Sequence, residues 1–186
     1  MNNSLQLIDT LKAGNIAVIP TDTLFGIVAV AADEAAVERL YKARRRNPSK
    51  PCIILISDVK QLKDLGITPS ADQLEIINQY WPGPASLIFH TNVTGLEYLH
   101  RGTGTLALRL PNSDDLRSLI DQTGPLIAPS ANHEGLPPAT TIEEVKRYFG
   151  DEMLVYIDNG KCLGKPSGVI DLTGVEPTII RPLPQK

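Results

Sequence analysis

Residues 33–56 read DEAAVERLYKARRRNPSKPCIILI and join a predicted helix, a basic turn and a predicted buried strand. Asp33 is a suitable N-cap for a helix over residues 33–46, whose apolar residues recur at helical spacing. The apolar run after the turn predicts a strand over residues 52–57. A helix that leads directly into a buried strand is typical of proteins that alternate the two elements around one sheet.

The same two patterns alternate along the rest of the chain and predict about seven or eight strands with five or six helices. The predicted helices begin at Ser4, Asp33, Asp58, Ser70, Ser113 and Thr141, the last with Glu144 in a capping box. The segments with an extended pattern, from which these strands are predicted, are 16–20, 24–30, 52–57, 85–89, 105–110, 126–128, 155–157, 168–172 and 178–180. No repeat, linker or shift in composition divides the chain. We therefore predict one domain over residues 1–186, of the α/β class with mixed α+β character, built on a twisted, largely open sheet flanked by helices.

The composition excludes several classes of protein. Of 186 residues, 42% are hydrophobic and 21% are charged, and the net charge of −3 excludes a generally basic nucleic-acid coat. The two cysteines and three histidines lack the spacing of zinc ligands or of a disulfide framework. The longest apolar runs have the length of strands, and no signal-peptide pattern is present. We expect a cytoplasmic protein that does not enter a membrane, without a metal bound by protein ligands.

The basic turn carries more positive charge than a helix end requires. Five of the 18 Lys and Arg residues lie at positions 42–50, and no acid occurs between Glu38 and Asp58. Cations near a helix C-terminus contribute only about 0.3–1 kcal/mol each, which explains part of the cluster. The turn is therefore either a solvated charged loop or a site for a polyanion, with phosphates as the simplest ligand.

Polar side chains, mostly hydroxyls and cations, recur where predicted strands begin or end. They are Thr21, Thr23, Arg46, Lys50, Thr105, Arg109, Ser130, Asn132, Ser167 and Arg181. Each alone is also explained by an ordinary turn or a solvent-facing strand position. Arg109 is harder to explain in this way, because strand alternation places it on one sheet face with Thr105 and the small Ala107. That face suits a ligand, and ligands of open α/β sheets bind at strand ends.

The common phosphate-binding and nucleophile motifs are missing from the sequence. It contains neither GxxxxGK[ST] nor GxGxxG, and it has no GxSxG nucleophile elbow. Ser130 has no base near it in sequence and is a weak candidate nucleophile. Cations and hydroxyls with few candidate acids favour catalysis by positioning and charge stabilisation, as in phosphoryl or nucleotidyl transfer.

Taken together, these motifs resemble those of the YrdC/TsaC family. The matching blocks are Pro20–Gly26, Arg46–Pro51, Trp81–Pro84, Leu106–Arg109, Pro129–Asn132 with Gly135, and Ser167–Gly174 followed by Arg181–Pro182. They cover nearly the whole sequence in the order of the family, and their combination is specific although no single block is. The resemblance implies an open, twisted α/β sheet around a deep concave cleft, in a chain like the short bacterial form of the family.

The resemblance also implies an activity, that of an L-threonylcarbamoyladenylate synthase. Such nucleotidyltransferases combine L-threonine, bicarbonate or CO2, and ATP, and they release pyrophosphate. Downstream threonylcarbamoyl-transferase proteins then pass the threonylcarbamoyl group to an adenosine of tRNA. Mg²⁺ is expected with the ATP, held mainly by the phosphates.

By motif position, the resemblance implies two groups of binding residues. L-Threonine would be bound by Thr23, Arg109, Ser130 and Ser167. ATP would be bound by Arg46, Lys50, Thr105, Asn132, Thr140 and Arg181, with Arg46 and Lys50 as the catalytic residues. The chemistry agrees, because a guanidinium can grip a carboxylate through two hydrogen bonds and cations stabilise the charge on leaving pyrophosphate.

The sequence departs from the family pattern at positions near this predicted site. Glu134 stands where relatives commonly carry Ser, which adds a negative charge beside the nucleotide. Arg44 and Asn47 replace the Lys and Pro of the usual basic run. Gly168 stands where Thr is common, and Leu183 stands where Gly often follows Arg-Pro.

The residues also allow two other functions. A related protein could use a basic cleft to bind RNA or a nucleotide without forming an adenylate, because phosphate contacts alone carry no sequence information. A carbamoyl-transfer module that uses carbamoyl phosphate is less favoured, because such modules usually lie within longer multidomain chains. A threonine pocket distinguishes the synthase from a pure RNA-binding protein, which would not need one.

Overall fold

The computed structural model describes residues 2–150, 155–158, 160 and 162–184. The helices in these ranges are α1 (Asn2–Lys12), α2 (Glu34–Ala43), α3 (Ala71–Tyr80), α4 (Glu97–His100), α5 (Asp114–Thr123) and α6 (Ile142–Phe149), with a 3₁₀ helix at Val59–Leu65. The strands are β1 (Ala17–Pro20), β2 (Phe25–Val30), β3 (Ile53–Leu55), β4 (Ala85–His90), β5 (Thr105–Arg109), β6 (Leu126–Ile127), β7 (Val155–Tyr156), β8 (Gly168–Asp171) and β9 (Thr178–Arg181). None of the described helices is both long and apolar enough to span a membrane.

The nine described strands form one mixed sheet in the order β7-β1-β2-β6-β3-β5-β4-β8-β9. The pairs β1–β7, β3–β5 and β4–β8 are parallel, and the other neighbouring pairs are antiparallel. The sheet is open, because β7 and β9 form its two edges. The predicted class, a mixed α/β fold on a largely open sheet flanked by helices, is confirmed.

Side chains alternate between two hydrophobic cores along the central strands. In β2, Phe25 and Ile27 join the larger core with α2, α3 and α6, whereas Val28 joins the smaller core with α1 and α5. The smaller core covers the second face of the sheet mainly over β1, β2 and β6. In β3, β5, β4 and β8, every second residue packs in the larger core, and residues between them line an open cavity on the other face of the sheet. Incomplete cover by helices therefore leaves a concave surface on this face.

Most of the predicted helix starts are confirmed by hydrogen bonds from their caps. The side chains of Asp33, Ser70, Ser113 and Thr141 each accept a hydrogen bond from the backbone N–H three residues later. The predicted cap at Ser4 is wrong, because α1 already includes that residue. From α1, Leu7, Ile8 and Leu11 pack in the smaller core, whereas Leu5 is 64% exposed. The four-residue helix α4 was not predicted.

The basic turn begins earlier than predicted, because α2 ends at Ala43. Arg45 adopts a left-handed conformation with φ of 51°. Its N–H donates to Lys42 O at 3.0 Å, and the N–H of Arg46 donates to Tyr41 O at 2.9 Å. This pair of bonds is a Schellman motif, which satisfies the last carbonyls of the helix and reverses the chain toward β3.

Candidate functional site

A cavity of about 620 Å³ lies on the sheet face over β3, β5, β4 and β8, within the size range of small-molecule sites. Eight of the ten predicted site residues line it: Thr23, Arg46, Thr105, Arg109, Ser130, Asn132, Ser167 and Arg181. Lys50 and Thr140 do not line it. A second groove of about 710 Å³ between α1 and α5 includes none of the ten. The structure therefore brings together side chains from distant parts of the chain at the first cavity.

A tight turn between β1 and β2 positions Thr23. The hydroxyl of Thr21 donates to Leu24 O at 2.7 Å and accepts from Leu24 N at 3.1 Å. It also lies 3.1 Å from Thr23 Oγ1, so the two hydroxyls are linked at the cavity wall. The segment before β8 crosses this turn so closely that a Cβ at Gly164 would lie 1.7 Å from Thr23 O. Glycine is needed there for the close approach.

Arg109 enters the cavity from the end of β5, on the same face as Thr105 and Ala107, as strand alternation predicted. Its side chain is only 4% exposed, and Nη1 lies 2.6 Å from Asp22 Oδ1. The other oxygen of Asp22 accepts from Asn112 N at 3.1 Å. Asp22 thus compensates the charge of the buried guanidinium and holds it from one side, which leaves its other N–H groups for a ligand.

Ser130 and Asn132 lie on the loop after β6, which is fixed to β2 and to the basic turn. The N–H of Ala131 donates to Phe25 O at 2.7 Å. Arg44 donates from Nε to Asn132 O at 2.9 Å and from Nη2 to Ser130 Oγ at 3.5 Å. Arg44 is 3% exposed, and burial lowers the pKa of its guanidinium. Arg44 was not predicted to belong to the site, because a run of cations does not show which one turns inward.

Arg181 and Ser167 form a third part of the wall, beside β8 and β9. Arg181 donates from Nε to Ser167 O at 2.6 Å and from Nη2 to Ser167 Oγ at 3.4 Å. The same hydroxyl lies 2.9 Å from Ser86 Oγ, which is fully buried and was also not predicted. Burial lowers the pKa of Arg181. These contacts fix the Ser167 hydroxyl at the cavity surface.

Arg46 lies in the wall, whereas its neighbour Lys50 points to a different partner. Arg46 donates to Pro51 O at 2.7 Å and to Lys50 O at 3.1 Å. The ammonium of Lys50 is 2.8 Å from Glu134 Oε1, and its side chain is 61% exposed. The five cations of the basic stretch therefore do not form one continuous patch.

Thr140 does not line the cavity but is hydrogen-bonded to a side chain of α6. Its N–H and hydroxyl donate to the carboxylate of Glu144 at 2.7 and 3.0 Å. Glu144 was predicted to reach back to Thr141 in a capping box; the carboxylate does turn back there, but its main donors are the N–H and hydroxyl of Thr140, and the N–H of Thr141 contributes less.

The cavity is strongly positive although the protein has a net charge of −3. Four arginines line it, namely Arg44, Arg46, Arg109 and Arg181, and no Asp or Glu is among the described residues of its wall. The same wall also contains the hydroxyls of threonines and serines and the amide of Asn132. Guanidinium groups in a concave, partly desolvated surface bind carboxylates and phosphates strongly. The arrangement therefore suits a ligand, or a pair of ligands, with several negative charges.

Known proteins resemble this chain over nearly its whole length. A sequence profile of Sua5, YciO and YrdC proteins, described as telomere recombination, matches residues 9–182. A Mycobacterium tuberculosis protein provisionally named threonylcarbamoyl-AMP synthase is 34% identical over 179 residues, which are 95% of this chain and 82% of that protein. The threonylcarbamoyl-AMP synthase of Pyrococcus abyssi is 33% identical over 92% of this chain, which spans 51% of that protein.

The fold is shared as well as the sequence. The crystal structure of P. abyssi Sua5 complexed with L-threonine matches with a TM-score of 0.90 and 31% identity, covering 97% of this chain and 54% of that one. This chain thus spans about half the length of the P. abyssi protein. From the sequence blocks, the sheet and these matches together, we conclude that the chain belongs to the Sua5/YciO/YrdC family.

Proposed function

We propose that this protein is an L-threonylcarbamoyladenylate synthase, which forms threonylcarbamoyl-AMP and pyrophosphate from L-threonine, bicarbonate or CO2, and ATP. One observation carries the proposal: a cavity lined by four arginines and several hydroxyls, in a chain homologous to a Sua5 protein whose crystal structure contains L-threonine. An amino acid and a nucleoside triphosphate together present the carboxylate, the phosphates and the polar groups that such a wall can bind.

L-Threonine is assigned to the part of the cavity around Arg109. The guanidinium binds the carboxylate of threonine through the N–H groups that Asp22 does not occupy. The hydroxyls of Thr23, Ser130 and Ser167 bind the amine and the side-chain hydroxyl of threonine. All three belong to the wall of the same cavity.

ATP is assigned to the remaining cations and polar groups. Arg46 and Arg181 neutralise the phosphates, and Thr105 and Asn132 provide neutral polar contacts. Lys50 and Thr140 belong to this assignment by motif position, but each is hydrogen-bonded to a glutamate. Contact of either residue with the nucleotide would therefore compete with this bond.

The proposed reaction has two steps. The unprotonated amine of threonine attacks the carbon of CO2 and passes a proton to solvent, which gives a carbamate. A carbamate oxygen then attacks the α-phosphorus of ATP, and the bond between that phosphorus and the bridging oxygen to the β-phosphate breaks. Arg46 and Lys50 stabilise the charge on the leaving pyrophosphate. By analogy with an oxyanion-hole donor, removal of one such cation is expected to lower the rate by about 10²–10³.

Mg²⁺ and the later partners complete the proposal. Both oxygens of Asp22, beside the cavity, already accept hydrogen bonds, from Arg109 and Asn112, so this carboxylate has little capacity for a metal. We assign Mg²⁺ to the phosphate oxygens and water, where it neutralises the charge of the triphosphate. Threonylcarbamoyl-transferase proteins would consume the product and modify tRNA. A cytoplasmic location agrees with ATP as a substrate and with tRNA as the acceptor in the later transfer step.

Pyrophosphate release from ATP tests the proposal when threonine and bicarbonate are omitted in turn. The synthase predicts release that depends on both. Release that is indifferent to both, or no release with retained RNA binding, would favour the alternative of an RNA- or nucleotide-binding paralogue. The structure gives that alternative less support, because Arg44 is buried and Lys50 is paired with Glu134 instead of extending a basic surface.

A further inference from the structure

Glu134 and Lys50 form an ion pair at the edge of the cavity. Lys50 Nζ and Glu134 Oε1 are 2.8 Å apart, although the two residues are separated by 84 positions in the chain. The other oxygen of the carboxylate, Oε2, accepts a hydrogen bond from the backbone N–H of Asn47. Glu134 N also donates to Arg44 O at 3.0 Å, so the loop after β6 crosses the basic turn here.

The two donors that hold Glu134 would suit a phosphate equally well. A backbone N–H on a tight turn beside a lysine ammonium is a common way to bind a phosphate oxygen. The turn is fixed by its own hydrogen bonds, from Lys50 N to Asn47 O at 3.1 Å and from Ser49 N to Asn47 Oδ1 at 2.9 Å. The anion site therefore exists before any ligand arrives, and a carboxylate of the protein occupies it.

This anion site lies next to the positive cavity. Arg46 and Pro51, which flank residues 47–50 of the turn on its helix side and its strand side, line the cavity. Asn132 and Leu136, two residues before and after Glu134, line it from the opposite loop. A triphosphate bound at Arg46 would thus extend toward the position that the Glu134 carboxylate holds.

We propose that Glu134 competes with the phosphates of ATP for Lys50 and Asn47 N–H and so lowers the affinity for the nucleotide. This inference rests on the proposed function, because it assumes that ATP is the ligand of the cavity. A triphosphate must displace the carboxylate, and the displaced charge still repels the phosphates within the screening length of the solvent. An exposed ion pair of this kind is worth a factor of about two to five in binding.

The charge on Glu134 is present throughout the neutral range. The pKa of this carboxyl is lowered from 4.5 to about 2. The hydrogen bond from Lys50 is the largest cause, and the hydrogen bond from the N–H of Asn47 is the second. The competition between the carboxylate and the phosphates therefore does not change with pH in the neutral range.

Equilibrium binding of ATP, measured by isothermal titration with the full chain, tests the inference. Glu134→Gln keeps the size of the side chain and removes its charge, and we expect ATP to bind about two- to fivefold more tightly. Glu134→Ser, which removes the side chain beyond one hydroxyl, should do the same. Glu143→Gln on the exposed side of α6 changes the net charge equally and should have no effect.

A second background separates competition from other effects. In Lys50→Ala, the further change Glu134→Gln should have a smaller effect on ATP binding, because one of the two contested donors is gone while Asn47 N–H remains. Equal or weaker ATP binding by Glu134→Gln overturns the inference, since Glu134 would then be neutral or would position Lys50. An undiminished effect in Lys50→Ala also overturns it. If the wild-type protein binds no ATP even at high ATP concentration, the proposed function is wrong. That result comes from the wild-type protein alone and is therefore distinct from any result with the variants.

Discussion

At the scale of single residues, the candidate site depends on an arginine that the fold has almost completely buried. Arg109 is 4% exposed and lies 2.6 Å from Asp22. Burial of a guanidinium is unfavourable unless a carboxylate compensates its charge, and Asp22 provides that compensation from the side away from the predicted ligand. The remaining N–H groups form a rigid fork, so geometry as well as charge should select a carboxylate.

Arg109→Lys tests the role of this fork, because it retains the charge and removes the planar donor pair. A hydrogen bond to a charged group contributes about 1.5–3 kcal/mol, so KM for L-threonine is expected to rise about 10- to 100-fold, with a smaller change for ATP. Steady-state pyrophosphate release measures both constants. Arg117→Lys is the control, because Arg117 pairs with Asp114 on α5 and does not line the cavity. An unchanged KM for threonine in Arg109→Lys would remove Arg109 from the threonine subsite.

Lys50→Ala is expected to raise the pKa of Glu134 from about 2 toward its ordinary value of 4.5. The rise should be incomplete, because Asn47 N–H still donates to the carboxylate. An NMR titration of the Glu134 carboxyl carbon measures the change. Since the folded-state pKa is the lower one, ionised Glu134 stabilises the fold above about pH 4.5, and this contribution is lost as the pH falls toward 2. A pKa that is the same in both proteins would show that Lys50 does not hold the carboxylate.

At the scale of secondary-structure elements, two departures from the family pattern meet at one contact. Gly168 begins β8, and Leu183 follows β9. A Cβ at Gly168 would lie 2.8 Å from Leu183 Cγ and 2.9 Å from Leu183 Cα. Leu183 packs against the larger core. Leu183 therefore fills the space that a side chain at position 168 would need.

Gly168→Thr alone is expected to lower the free energy of unfolding by about 1–3 kcal/mol, because the new side chain overlaps Leu183. In the double variant with Leu183→Gly, the loss should be smaller than the sum of the two single losses. Urea unfolding of the four proteins measures this coupling. Strictly additive losses would show that the two positions do not share the same space.

The starts of the elements could be predicted from the sequence better than their ends. Asp33 and Ser70 cap their helices as predicted, because a side-chain oxygen before a periodic apolar pattern is a local signal. The end of α2 was predicted too late, because Arg45 takes the left-handed position that Gly usually marks. Ser4 resembles a cap in sequence, yet α1 extends past it toward the N-terminus.

At the scale of the whole molecule, strands that are distant in the chain assemble the cavity. β3 pairs with β5, β5 with β4, and β4 with β8, and their side chains alternate between the larger core and the cavity wall. Alternation predicted the face on which Arg109 lies, and the family resemblance predicted which loops converge. The positions of Lys50 and Thr140 could not be predicted, because each depends on a glutamate whose orientation is set by tertiary contacts.

The central claim is that this cavity holds L-threonine beside ATP. A crystal structure with L-threonine and an ATP analogue that has a non-hydrolysable α–β linkage tests it most directly. We predict the threonine carboxylate within hydrogen-bonding distance of the Arg109 guanidinium and the phosphates at Arg46 and Arg181. Threonine bound in the groove between α1 and α5, or phosphates bound away from these arginines, would contradict the claim.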